Sequence, residues 1–436
     1  MIRSCMTLFF AALLVLCCSD GFAQYSSNTS AVGGVLVDAE GMLSLATADQ
    51  LKTLENARLE AMQSIQKGLD QTADTRRISL KKLNGIAARC VAEGKAIPDS
   101  VKYLGGLTAI ENVFVYPEEN DIVLVGPAEG WTVGPKGVMV GKNSGKPIML
   151  LEDLVVAIRS ASGSERHVFA VSIDPTEAGL KTVHAYVSQI RAVTNASRVA
   201  KQLEEKLGNQ VVTLTGVEAN SHFAYVLAAA DYRMKQISMG STKSPVKSLT
   251  SFVPMIQSPE EANVLPRWWM APNYAAITRS EDGLAWSLSG GSVVTLTETE
   301  MFDGDRLVKK TVGMSTAFQK WADLMTENFD ALSKAEPIFG QLRNCMDCAM
   351  VAAMIAEGDL LEKVNDLEAL LSAPEFTTSY PVPRMVPSTA VVAKKGGGFL
   401  FTNGGVSIDM WKPIQTARVA EDLKAGKYPV GKSWWK

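Results

Sequence analysis

Between residues 222 and 240 the chain sets Phe223, Val226, Leu227, Ala230, Met234 and Ile237 at spacings of three and four. At about 3.6 residues per turn these positions form one apolar stripe, which predicts a helix. Ser221 stands where a side chain can cap the first turn, and Gly240 where a left-handed residue can end the last. Asp231 and Lys235 flank the stripe four residues apart, acid first, an order worth about 0.2–0.5 kcal/mol on a wet helix. With Arg233 on the other flank, the expectation is that these charges solvate one face and do no chemistry. Tyr225 and Tyr232 fall together opposite the stripe, and aromatic rings on a supposedly wet face imply a cover, either more of the chain or a partner.

The same reading of period and punctuation lays out the remaining elements. "GGVLVDAEGMLSLAT" (33–47) reads as a hairpin turning at Asp38–Gly41, and "TAIENVFVYPEENDIVLVGPAEGW" (108–131) as another turning at Pro117–Asp121. Helical patterns cover about 49–67, 77–92 and 152–160. A strand at 167–173 leads to a helix whose start Asp174, Pro175 and Glu177 would cap, and a strand at 211–217 leads into the Tyr-bearing helix. This alternation predicts at least one right-handed crossover onto a shared sheet. Residues 267–300 give three or four strands, and the segment from Ser315 to Leu371 is helical, with Pro337 starting the second helix of an antiparallel pair. The expected class is α+β: a mixed sheet with an alternating strand–helix core, followed by a β-rich segment and a helical hairpin. The divisions are 24–240 (mixed α/β), 241–266 (connecting), 267–312 (β-rich), 313–372 (helical hairpin) and 373–436 (a Pro/Gly-rich, strand-bearing tail).

The N-terminus adds a compartment. Arg3, the apolar run Leu8–Leu16 and the small residues around Gly21–Ala23 have the layout of a signal peptide over 1–23, and the run is too short for the roughly 20 residues of a spanning helix. The chain is therefore expected to be exported, periplasmic or extracellular, with no integral membrane segment once the leader is removed. At 47% hydrophobic and 20% charged residues it is globular, and a net charge of −3 without a basic run argues against nucleic acid. Cys90, Cys345 and Cys348 remain after the leader, an odd and sparse set that is no disulfide framework.

Candidate chemistry is thin. Cys345 and Cys348 resemble a redox pair but fall mid-helix after Pro337, away from the helix end that lowers a thiol pKa, so core packing is expected. His167, His184 and His222 form no metal-ligand spacing, and His222 draws notice because it opens the Tyr-bearing helix. No Gly-x-Ser-x-Gly elbow occurs, and "GKNSGKP" (141–147) lacks the spacing of a phosphate loop. Acidic turns at Asp38/Glu40, Glu118–Asp121 and Asp303/Asp305 match no calcium loop, so no metal and no cofactor is expected. Trp268 and Trp269 sit next to each other on a strand, which sends their rings to opposite faces. Trp434 and Trp435 suggest a tail docked on the body.

The stretches "ADYRMKQISMG", "LPRWWMAPNY" and "EDGLAWSLSGGSVVTLTETE", with "GGVLVDAEGMLSL" and "DIVLVGPAEGWTV", resemble a family of exported planctomycete proteins known only as a domain of unknown function. That resemblance implies export and a multi-part globular body, and brings no activity, cofactor or catalytic residue. Two functions follow as expectations. The first is a non-catalytic, envelope-associated protein binding a protein or carbohydrate partner through Tyr225, Tyr232, Trp268 and Trp269. The second is a hydrolase acting on an envelope polymer through a carboxylate acid/base pair, with Glu218 and Asp231 the first acids to examine.

Overall fold

The computed structural model describes residues 31–163, 165–257, 266–297, 300–303, 306–309, 316–364, 371, 376–392, 398–428 and 435, with side chains between 300 and 316 excepted. The expected signal peptide (1–23), Trp434, Asp305 and residues 258–265 of the connecting segment lie outside this set.

Helix makes up 41% and strand 24%, and antiparallel pairing dominates, so the class is α+β. One six-stranded sheet runs in the order Ser292–Thr297, Arg267–Asn273, Asn403–Ile408, Phe169–Asp174, Gln210–Thr215, Met385–Val386. Its one parallel pair joins Arg267–Asn273 to Asn403–Ile408. The second runs Arg418–Val419, Ala276–Arg279, Ala285–Ser289, Asn112–Tyr116, Asp121–Ala128, Ala73–Ser79. The two are stitched together by residues 267–297, whose outer strands enter the first sheet and whose inner strands enter the second.

The helix His222–Met239 lies against the inner face of the first sheet and is buried along its whole length. Pro337–Glu357 crosses it and packs along Leu151–Ala161. Phe169 and Phe223 meet edge to face, ring centroids 5.6 Å apart, at the junction of sheet and central helix. Trp268 points inward onto Trp321, Phe252 and Phe318, while Trp269 stays half-buried on the outer face, as strand alternation requires.

Several expectations are corrected. The charges Asp231, Arg233 and Lys235 do not solvate a face: all are buried, because the helix is enclosed on every side and not laid on a surface. Tyr225 and Tyr232 are buried too, and the cover they implied is the chain itself; the Tyr225 hydroxyl donates to the Val35 carbonyl, 3.1 Å. The strands 169–174 and 210–215 are antiparallel neighbours, since two helices, Glu177–Val187 and Ala196–Leu207, return the chain between them. The crossover comes one element later, where the connection holding the central helix joins 210–215 to 267–273, which run the same way in that sheet. The first of those helices is capped by Thr176, whose hydroxyl accepts from the Gly179 amide, while Asp174 ends the strand. The pattern at 77–92 splits into the strand Ala73–Ser79 and the helix Leu80–Ala92, and the helix placed over 49–67 stops at Ala61.

Candidate functional site

The central helix carries its charges inward, and each meets a specific partner. Lys235 Nζ donates to Asp231 (2.6 Å) and to the carbonyls of Ile173 (3.1 Å) and Gly404 (3.0 Å), tying the helix to two strands. Burial raises the Asp231 carboxyl to about 6 although Lys235 opposes the shift, and burial lowers the Lys235 ammonium. Arg233 clamps the Glu336 carboxylate through Nε (2.9 Å) and Nη2, with Lys136 adding a third cationic contact at 3.2 Å. Burial pushes Glu336 up, but these hydrogen bonds outweigh it and hold the carboxyl below its ordinary range.

The most chemically equipped group gathers where this helix begins. Ser221 caps the start through the Ala224 amide and places His222 in the first turn, against Asp153 in the first turn of Leu151–Ala161. His222 Nδ1 stands 2.9 and 3.0 Å from the two Asp153 oxygens. Its Nε2 faces Gln341 Nε2 at 3.3 Å, while Gln341 Oε1 is buried without a partner among the described residues. Burial alone would lower the His222 pKa; the Asp153 carboxylate, and then Glu152, reverse that and raise it.

Glu152, half-buried, reaches the surface of the group. Its carboxylate accepts from the Thr378 amide (3.2 Å) and the Tyr380 hydroxyl (3.4 Å). Tyr380 meets His222 at a tilt and Tyr225 edge to face, at 5.5 and 5.9 Å between centroids. Burial raises the Glu152 carboxyl, His222 partly offsetting it. Cys345 borders the group from the long helix, and burial first, then Asp153, pushes its thiol well up. It is a packed thiol and no nucleophile at neutral pH.

The four aromatic residues expected to bind a partner are not brought together. Tyr225, Tyr232 and Trp268 are buried in the core. Trp269 alone reaches an outer face, with the Arg267 guanidinium 5.1 Å from its ring. Its row runs from the buried Leu296 on one side through Gly405 and Ser172 to Thr213 on the other. Arg267 also lies 3.9 Å from Asp174. Of the acids first in line for catalysis, Asp231 is sealed against Lys235 and Glu218 is exposed. Glu152 and Asp153 escaped sequence reading because nothing local connects residue 152 to 222, 341 or 380; the one available signal was His222 itself.

Other motifs resolve structurally. In the 141–147 turn the amides of Asn143 and Ser144 point at the Glu129 carboxylate, at 2.6 and 3.2 Å, so the loop cradles an acid of its own chain. Trp435 forms a bridge with Ile78, tying down the end of the tail. Among the described residues no cluster of His, Cys, Asp and Glu is arranged to hold a metal, and no helix is long and apolar enough to cross a membrane.

Residues 171–252 match a family model described as a protein of unknown function, DUF1598. The matched span holds two strands of the first sheet and the whole central helix, including "ADYRMKQISMG". No curated protein and no solved structure matches the chain.

Proposed function

We propose that this is an exported, envelope-associated binding protein without catalytic activity, and that its partner is a protein or carbohydrate taken at the outer face of the first sheet. The observation that carries this reading is Trp269. It is the member of the aromatic set left accessible, on a rigid strand, with Leu296 on one side, small and hydroxyl-bearing residues on the other, and a guanidinium and carboxylate suited to hydrogen-bonding a polar ligand. A flat aromatic surface next to such groups matches the apolar face and hydroxyl rim of a sugar ring. The test is retention of the purified protein by insoluble envelope polysaccharide and by cross-linked envelope protein, beside Trp269→Ala. Retention of the wild type by either material and its loss in the folded variant support the reading. Equal behaviour of the two proteins overturns it.

A second reading, hydrolysis of an envelope polymer by a carboxylate acid/base pair, has one observation in its favour: Glu152 and Asp153 adjoin a histidine whose pKa they raise. Release of reducing ends or free amines from envelope polymer, abolished by Glu152→Gln, would replace the first reading with this one.

A further inference from the structure

Residues 376–384 run as a strap over the His222 group without regular secondary structure through most of their length. The strap is fixed at its far end where the Arg384 and Met385 amides donate to the Gly41 carbonyl, at 2.8 and 3.1 Å. Over the group itself it is held by Glu152, through Thr378 and Tyr380, and by Asn220, whose carbonyl accepts from the Tyr380 amide at 2.7 Å. Asn220 Nδ2 adds a bond to Ser379 Oγ at 3.2 Å. Tyr380 then meets the imidazole at a tilt of 60°, ring centroids 5.5 Å apart.

We propose that Glu152, Asp153, His222 and Gln341 form a proton-operated latch that holds this strap closed while His222 is charged and loosens it when the proton leaves. The groups facing His222 define the balance. Glu152 and Asp153 come from one helix, Gln341 from another and Tyr380 from the strap, while the neutral thiol of Cys345 borders Asp153 and Tyr225 backs Tyr380. Arg58, on the helix Ala48–Ala61, is the cation whose field opposes protonation. With the imidazolium in place, two neighbouring carboxylates share one buried positive charge. Without it both anions are left facing each other, and the one able to regain water is Glu152, by releasing Thr378 and Tyr380.

Gln341 gives the latch two discrete hydrogen-bonding states. In the structure the strap is closed over a His222 whose Nε2 meets Gln341 Nε2, the arrangement of a neutral ring that donates Nδ1–H to Asp153, and Gln341 Oε1 is left unpaired, so the neutral state is closed but less well held. An imidazolium presents N–H on both sides. Turning the Gln341 amide through half a rotation then brings Oε1 to Nε2–H and satisfies the buried oxygen. The sign follows from the raised His222 value: the charged state's stabilisation is complete below the ordinary histidine range and is lost as pH rises through the folded value.

The experiment follows amide exchange of Thr378 and Tyr380 in the full chain, corrected for intrinsic rate, through and above the ordinary histidine range of about pH 5–8, with the His222 ring titrated by NMR in the same samples. Protection is expected to fall with the His222 titration, about tenfold for each unit separating the closed and open pKa values. In His222→Gln it should be flat, and in His167→Gln it should follow the wild type. Protection that stays constant in the wild type, or falls equally in His222→Gln, overturns the proposal. If His222→Gln does not fold, Glu152→Gln decides, since it keeps an acceptor for the strap and removes the charge. It should lower the His222 midpoint and abolish the pH response of the strap, and an unchanged midpoint with an unchanged strap overturns the latch. None of these readouts depends on the binding role of Trp269.

Discussion

At Trp268 and Trp269 one step along a strand separates two physical roles. Trp268 is fully buried, its ring 4.4 Å from Trp321 between centroids and its Nε1–H donating to the Phe318 carbonyl at 3.3 Å. Trp268→Ala removes one of the two indoles from that cluster and should cost about 3–5 kcal/mol in unfolding free energy. Trp269→Ala gives up a half-exposed ring and a guanidinium contact, and should change stability by about 1 kcal/mol or less. Urea titrations of both variants check the contrast. A large loss in Trp269→Ala would mean that the ring supports the fold and would remove the residue from any binding surface. That the two rings face opposite ways was legible in the sequence because a strand alternates faces whatever surrounds it, but which one turns inward was not, and Trp268, expected in a binding surface, is in the core. The burial of Tyr225 and Tyr232 was not legible either, because which side of a helix is wet depends on what packs against it.

The central helix shows the same limit at the scale of an element. Its ends followed from local chemistry: Ser221 at the cap and Gly240, at φ 72°, in the left-handed position. What could not be read was a second layer closing over the polar side, because Pro337–Glu357 and the hairpin at Val35 arrive from distant parts of the chain. The Asp231–Lys235 pair, four residues apart, would be nearly worthless on a wet helix and is consequential inside. Lys235→Met should destabilise by about 3–5 kcal/mol, since it strands a buried carboxylate and frees the Ile173 and Gly404 carbonyls. Asp231→Leu combined with Lys235→Met should recover much of that loss. Thermal unfolding of the single and double variants separates the outcomes, and a double variant no better than the single would show that the carbonyl contacts dominate. The candidate site was less legible than the fold for a related reason. Asp153 and Glu152 look like ordinary acids in a first turn until His222 and Tyr380 are brought to them, and that juxtaposition has no local signature.

For the whole molecule, the decisive feature is that late segments complete early sheets. Asn403–Ile408 lies between Arg267–Asn273 and Phe169–Asp174, and Met385–Val386 closes the edge at Gln210–Thr215. Gly405 sits so close to its neighbour that an added Cβ would come within 1.8 Å of the Val171 carbonyl oxygen. Ending the chain at residue 398 should therefore remove the middle of the first sheet and leave no folded core, even though the deleted segment is short. Tryptophan fluorescence and far-ultraviolet circular dichroism of the truncated chain would test this, and a cooperative unfolding transition would contradict it.

The central position of Asn403–Ile408 also sets an order in time. A ribosome makes that strand more than a hundred residues after Arg267–Asn273 and more than two hundred after Phe169–Asp174, so both flanks must wait with open hydrogen-bonding edges until it appears. Pairings so distant along the chain close slowly, and the sheet cannot be completed piece by piece as synthesis proceeds. The polypeptide thus stays unfinished, and threadable, until nearly all of it has been made.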